Sequence, residues 1–435
     1  MIRAFVLMKL FPLMIGAAFY LHGSFLEARQ PNVVLIVSDD QAWTDYGFMG
    51  HPHIRTPNLD KLASESLLFT RGYVPSSLCC PSLATMMTGR YPHQHKITSN
   101  DPPNPNGLKG AAFNTSSAFL QGRERMNEHM RSVPTIAKSL VEKGYLALQT
   151  GKWWQGDFKQ GGFTHGMTRG GRHGDDGLAI GRKTMEPITQ FLDDCKREDK
   201  PFFVWYAPMM PHDPHTPPDR ILERYKPLTD SIHVARYWAM VEWFDETVGQ
   251  LTGALSDRGL SENTIIVYVT DNGWIQDPNN PRYAARSKQS PYDGGLRTPI
   301  MIRWPGVVRP EKSEALAQSI DIFPTIASAL QIEVPRDLPG INLLDSKARN
   351  ERKAIYGACF THNAVDLDQP SKNLRWRWMV THDWKLILPD PTNEPRETAE
   401  LYRISEDPSE SLNIASSQTA LFQRLAQQID QWWKP

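Results

Sequence analysis

Asp39 and Asp40 stand side by side directly after one apolar run, and Asp271-Asn272-Gly273 follows another. Three carboxylates and an amide make an all-oxygen donor set, which suits a hard divalent cation such as Ca²⁺ or Mg²⁺. Adjacent aspartates repel unless a cation neutralises them, so Asp39 and Asp40 are read as metal-binding. Asp45 is read instead as capping the segment that follows it. Lys152 and Pro211-His212-Asp213 occupy equivalent places after two further apolar runs. These groups together put three carboxylates, an amide, an ammonium and an imidazole, all potentially catalytic, after four apolar runs.

Cys79-Cys80-Pro81-Ser82 opens a helical pattern that runs on to Thr88-Gly89-Arg90, with proline suited to the first turn. Cys79 thereby lies beside a helix N-terminus, where free N–H groups and the helix dipole favour an anion. A cysteine there is either a small buried residue or a nucleophile. The Cys-x5-Arg loop of a thiolate phosphatase is absent. Cys79, Cys80, Cys195 and Cys359 show no zinc-site spacing and are too few for a disulfide scaffold.

The elements that must position these groups are four β-branched, apolar runs at 33–37, 145–148, 202–206 and 264–269. Runs of this kind are parallel strands buried on both faces. Helical patterns at 56–65, 133–143, 186–196, 232–257 and 320–330 lie between them. The expected fold is α/β, a large, mostly parallel sheet sandwiched by helices. Ligands bind beyond the carboxyl ends of such strands, where Asp39, Asp40, Lys152, His212, Asp271 and Asn272 all fall. Any one of these segments alone is an ordinary turn signal; four coincidences define a rim. After residue 344 the pattern changes to short strands at 354–358, 375–381 and 384–388, another near Leu401, and an amphipathic helix at 420–433. The expected units are 29–345, a catalytic α/β domain, and 346–435, a small antiparallel α+β subdomain.

Lys plus Arg and Asp plus Glu both total 48, so no positive surplus exists for binding nucleic acid. With 40% hydrophobic and 22% charged residues, the chain can bury a large core and is neither disordered nor a multi-span membrane protein. Met1, Arg3 and Lys9 supply positive charge before and within an apolar stretch that continues to Leu21. This reads as a secretory signal peptide over 1–28, since the uninterrupted apolar run is shorter than the ~20 residues of a spanning helix. The expectation is an exported protein, periplasmic or secreted, with no stable membrane span.

These motifs resemble the formylglycine-dependent sulfatase family of the alkaline-phosphatase superfamily, in order from Asn32 to the C-terminus. Pro31 to Asp40 is similar to its opening strand and metal pair, and Cys79-Cys80-Pro81-Ser82 with Thr88-Gly89-Arg90 to its Cys/Ser-x-Pro-Ser-Arg signature. Gly151-Lys152-Trp153, Pro211-His212-Asp213-Pro214 and Thr270-Asp271-Asn272-Gly273 resemble further elements, as does Lys288-Gln289-Ser290-Pro291-Tyr292-Asp293-Gly294-Gly295. The resemblance implies that a formylglycine-generating maturation enzyme oxidises Cys79, whose hydrated aldehyde supplies the nucleophilic oxygen. It implies that Asp39, Asp40, Asp271, Asn272 and residue 79 hold one divalent cation, Ca²⁺ in preference to Mg²⁺. Lys152, His212 and Lys288 would neutralise the sulfuryl group, and His212 or Lys288 would protonate the departing alcohol.

The implied activity is that of an arylsulfatase-like sulfuric ester hydrolase acting on a sulfated small molecule or polysaccharide, whether a sulfated carbohydrate or an aryl sulfate. Two alternatives are a phosphodiesterase or phosphonate monoester hydrolase on the same scaffold, and a non-catalytic glycan-binding descendant. Leu83 stands where the family has Arg, and Trp154 where it usually has His. Arg282, Arg286, His165, His173 and His215 are candidates to compensate. Residues 161–182, with Arg169, Arg172, His173 and Arg182, are either a specificity loop or a solvated basic one. Trp153, Trp154, Trp205 and Trp274 are either sugar-stacking platforms or core.

Overall fold

The computed structural model describes Met1 and residues 30–435; the expected leader, 1–28, lies outside them apart from Met1. Strands β1 (Asn32–Ser38), β2 (Leu67–Tyr73), β3 (Leu146–Gly151), β4 (His165–Gly166), β5 (Phe202–Ala207), β6 (Thr264–Thr270), β7 (Arg297–Arg303), β8 (Glu311–Ser313) and β9 (Ala317–Gln318) form one sheet. Its order is β4-β3-β5-β1-β6-β7-β2-β8, with β9 also on β2. Pairing is parallel from β4 to β6 and antiparallel on both sides of β7. The expected mixed, mostly parallel sheet is therefore present.

Every residue of β1 is buried, and alternate side chains go to opposite faces. Val33, Leu35 and Val37 pack with Leu83, Met86, Ile136, Leu140 and Phe323 from the helices Cys79–Thr88, Ile136–Glu142 and Ile322–Ala329. Val34 and Ile36 pack with Leu59, Phe191, Phe244 and Val248 from Pro57–Ser64, Glu186–Glu198 and Ile232–Asp257. Each fully buried side chain of this kind is worth about 1.5–3 kcal/mol. Two apolar layers on a central strand explain why that strand reads as an unbroken hydrophobic run.

Four elements differ from the sequence expectation. β2 is interrupted by Thr70-Arg71-Gly72 and shifts register between Phe69 and Gly72, so its apolar signal is short. β7 contains Pro299, which weakens a strand reading. The helix Ser117–Arg131 buries Arg123, Asn127 and His129 among its apolar residues, which masks its amphipathic period. The helix expected from residue 133 starts at Ile136, because Thr135 caps it by accepting from Lys138 N–H.

Strands β10 (Ala354–Phe360), β11 (Leu374–Thr381), β12 (Lys385–Pro389) and β13 (Glu400–Tyr402) make a second, antiparallel sheet in sequence order. The helix Thr419–Trp432 lays Leu425 and Ile429 on Met379, Leu386 and Leu401 of that sheet. Among the described residues no helix is long and apolar enough to cross a membrane.

Candidate active site

The β1–β6 register sets Ser38 opposite Thr270, so Asp39-Asp40 and Asp271-Asn272 leave the sheet side by side. Asp271 N–H donates to Ser38 O at 2.9 Å, and Asp40 N–H to Asp271 Oδ1 at 3.1 Å. Asp39 N–H donates to Met210 O at 3.0 Å, which draws the segment carrying His212 to the same edge. The β3–β5 register sets Gly151 opposite Ala207. Gly151 has φ +76°, and a Cβ there would lie 1.8 Å from Ala207 O, so only glycine lets the chain turn Lys152 inward.

Lys152 Nζ lies 2.7 Å from both oxygens of Asp39 and 3.6 Å from Asp271 Oδ2. Lys288, from the β6–β7 connection, pairs with Asp40. Asn272 donates from Nδ2 to Asp40 Oδ1 at 2.6 Å and turns Oδ1 to Cys79 Sγ at 3.4 Å. His212 donates from Nδ1 to the carbonyl of Asp213 at 2.6 Å, and its Nε2 faces Asp40 Oδ2 at 3.4 Å. All eight residues singled out from the sequence, Asp39, Asp40, Cys79, Lys152, His212, Asp271, Asn272 and Lys288, thus converge.

Three buried carboxylates meet two buried ammonium groups here, which leaves one negative charge over. Burial raises the carboxyl of Asp39, but Lys152, His212 and Lys288 outweigh it and hold it down to about 2. Burial and the Asp39 charge push Asp271 well above the carboxylate range. Asp39, Asp40 and Asp271 bring oxygens within 4.8 Å of one another. Among the described residues Asp271 Oδ2 accepts no hydrogen bond, and Asp39 Oδ2 meets only the Lys152 ammonium, at 2.7 Å. Close-set acidic oxygens with free lone pairs fit a hard divalent cation. The Cys79 thiol, buried at the helix start, is pushed well up by desolvation despite Lys152 and Lys288; it has no thiolate character of its own.

The remaining candidates separate clearly. His165 is exposed and edges onto Phe191, away from the cluster. His215 packs between Tyr237 and Trp274. Arg286 lies over Tyr292, and Arg282 is exposed. His173 does reach the site: its ring lies 4.5 Å from Trp154 and 6.1 Å from His212. Leu83 is core, and so are Trp153, Trp154, Trp205 and Trp274, which present no open stacking face. Asp45 is not a cap; it accepts from Tyr237 and Thr44, and burial lifts its carboxyl to about 6.

Sequence reasoning missed Asp101 and Arg123. Asp101 pairs with Arg123 at 3.0 Å and Arg172 at 2.9 Å, and both guanidiniums lie over the Trp154 ring, at 5.2 and 4.9 Å from its centroid. The available signal was an arginine at core spacing among Phe119, Met126 and Met130. The basic loop is accordingly anchored: Arg172 on Asp101, and Arg182 on the carbonyl of Met209 at 2.7 Å. Arg169 alone is largely exposed.

The family model described as Sulfatase matches residues 31–332, more than two thirds of the chain. The chain belongs to the sulfatase family. A second model, the C-terminal region of N-sulphoglucosamine sulphohydrolase, matches 284–434 of this sulfatase. Arylsulfatase A of Homo sapiens is 30% identical over 375 residues, covering 73% of this chain and 67% of the relative. N-acetylgalactosamine-6-sulfatase of Mus musculus is 28% identical over 414 residues, covering 82% and 74%. The fold is also that of BT4656 solved with its substrate D-glucosamine-2-N,6-O-disulfate, with TM-score 0.70, 20% identity and coverage of 92% and 98%. Phosphonate monoester hydrolase of Agrobacterium radiobacter shares it too, with TM-score 0.71, 17% identity and coverage of 92% and 95%. The sulfatase is an enzyme, a hydrolase of sulfate esters.

Proposed function

We propose that the sulfatase cleaves a sulfated carbohydrate or aryl sulfate with a formylglycine made from Cys79 and one divalent cation, Ca²⁺ in preference to Mg²⁺. The observation that carries this is the convergence of Cys79 and Asn272 with three carboxylates, two lysines and His212 at one rim. A carbohydrate substrate is favoured by the relatives, whose names include an N-acetylgalactosamine-6-sulfatase and a structure with a sulfated glucosamine. When present, the aldehyde at position 79 supplies a nucleophilic hydroxyl as its hydrate, and the cation polarises it and the sulfuryl oxygens.

Asp39, Asp40, Asp271 and Asn272 would hold the cation together with residue 79. Lys152 and Lys288 bring fixed positive charge to the sulfuryl oxygens as negative charge shifts in the transition state. His212 has its Nδ1 proton committed to a carbonyl, so Nε2 is the nitrogen that delivers a proton to the departing oxygen. Lys288 is the second candidate for that role. The reading adds a maturation enzyme as a transient partner, export as the route, and no role for nucleic acid.

Intact mass of the peptide containing Cys79 tests the modification, with the mass drop for converting –CH2SH to –CHO expected. An unmodified thiol together with absent turnover favours a glycan-binding descendant. Parallel assays of 4-nitrophenyl sulfate and phosphodiester or phosphonate esters test the reaction. Phosphodiester or phosphonate turnover dominant by orders of magnitude overturns it.

A further inference from the structure

We propose that His173 is a substrate-contacting residue, a hydrogen-bond donor to the sulfuryl oxygens beside Lys152 and His212, held there by a strained turn. This rests on the sulfate-ester reading above.

The turn is unusual in its backbone. His173 has φ +71° and ψ −20°, Gly174 has φ +126°, and Asp175 has φ +48° and ψ −123°. Side chains other than glycine rarely occupy this region, and such strain persists only where surrounding structure enforces it. Here it is enforced on every side. His173 O accepts from Trp153 N–H at 3.0 Å, so the turn is tied to the residue after Lys152. A Cβ on Gly174 would lie 2.4 Å from Gly151 O. Asp175 Oδ2 accepts from the N–H groups of Arg169 and Gly171, at 3.0 and 2.7 Å. Arg172 makes two bonds to Asp101. Glycine or asparagine adopts this backbone more readily than histidine does. The turn therefore does not need an imidazole for its own shape.

The ring, by contrast, is placed with care for its protons. Arg172 Nη1 lies 2.8 Å from His173 Nε2. A guanidinium only donates, so Nε2 accepts and the neutral ring carries its proton on Nδ1. Among the described residues no acceptor meets that Nδ1–H. The indole N–H of Trp154, against which the ring packs, is buried and likewise has no acceptor among the described residues. Two donors lacking protein acceptors, one of them on a ring 6.1 Å from that of His212, suit a ligand rich in oxygen acceptors.

The test uses the full enzyme with its metal and compares His173→Gly with His173→Asn. Glycine fits the backbone and removes the ring; asparagine fits it and keeps a donor near the Nδ1 position. His173→Gly should leave Tm unchanged or raised and lower kcat/KM on 4-nitrophenyl sulfate roughly 10–100-fold, the range for losing one bond to a charged group. It should weaken the Kd of inorganic sulfate, measured by calorimetry, by a similar factor, whereas His173→Asn should stay within about threefold on both. His173→Gly within twofold of wild type on both readouts overturns the proposal. A wild type inert on sulfate esters sinks the reaction reading instead, and the sulfate titration then decides His173: a weakened Kd supports it, an unchanged Kd overturns it.

Discussion

Lys288 holds Asp40 by both carboxylate oxygens, with Nζ 2.7 Å from each. Asp39 is held in the same way by Lys152. Asp271 has no comparable partner, since Lys152 Nζ stays 3.6 Å away. The carboxyl at the end of β6 is therefore the one that the two lysines leave without a close cation.

A cation at this cluster should stabilise the fold by mass action, by about 2.7 kcal/mol at a hundred times its Kd. We expect Tm to rise with Ca²⁺ or Mg²⁺ and to fall with chelator. Asp39→Asn, Asp40→Asn and Asp271→Asn should abolish both that response and turnover. Wild-type melting indifferent to both metals and to chelator would falsify the metal assignment.

His212 and Lys152 should separate by leaving group. A sugar alkoxide needs a proton as it departs, and nitrophenolate does not, so His212→Ala should lose roughly 10²–10⁴-fold more rate on a sugar sulfate than on 4-nitrophenyl sulfate. Lys152→Ala meets the sulfuryl oxygens common to both and should lose rate equally on both. The kcat/KM values of the two variants on the two substrates decide. Equal losses for His212→Ala would pass the acid role to Lys288.

Acid should unfold the enzyme early. Burial holds His95 down to about 3, and His51 and His93 to about 4, so the folded state refuses protons that the unfolded chain takes up below 6.5. Stability is thus full above pH 6.5 and declines as pH falls toward 4. His95, which accepts from Ile97 N–H through Nδ1, contributes at most about 1.4 kcal/mol per pH unit. His95→Asn keeps an acceptor for Ile97 and should flatten the fall of Tm between pH 6 and pH 4.5. An unchanged slope would exclude a buried neutral His95 as a cause.

Lys385 is fully buried between Asp293, 2.8 Å from its Nζ, and Glu410, 2.6 Å away. Asp293 belongs to the connection that also carries Lys288. We propose residues 29–345 and 346–435 as the two units of the chain, with Lys385 as the tie between them. Lys385→Met leaves two buried carboxylates without their cation and should cost about 3–5 kcal/mol. Urea unfolding of the wild type should show one transition, and the variant should lower its midpoint and its kcat together. A variant with unchanged midpoint removes the tie.

The parallel half of the sheet was legible because β1, β3, β5 and β6 are buried on both faces and read as continuous apolar runs. Asp39, Asp40, Lys152, His212, Asp271 and Asn272 were legible because they follow those runs closely, Cys79 because it opens a helical pattern, and Lys288 because it lies in a recognisable motif. β2 and β7 were not, since a bulge and Pro299 break their pattern. Neither was the support around Trp154. Asp101, Arg123 and Arg172 come from three separate segments, and no spacing rule links them before the chain is folded.

The central place of β1 has a consequence for the birth of the protein. β1 is made early, yet its two neighbours begin only at Phe202 and Thr264. At about 5–20 residues per second, the ribosome needs roughly 10–45 s to travel from one to the other end of that gap. During this time Cys79 has no Asn272 to close over it, whereas in the finished fold it is 1% exposed. On the reading proposed above, a protein that converts Cys79 would have to reach it before that closure, so the order in which the strands are made would limit how much of the chain is converted.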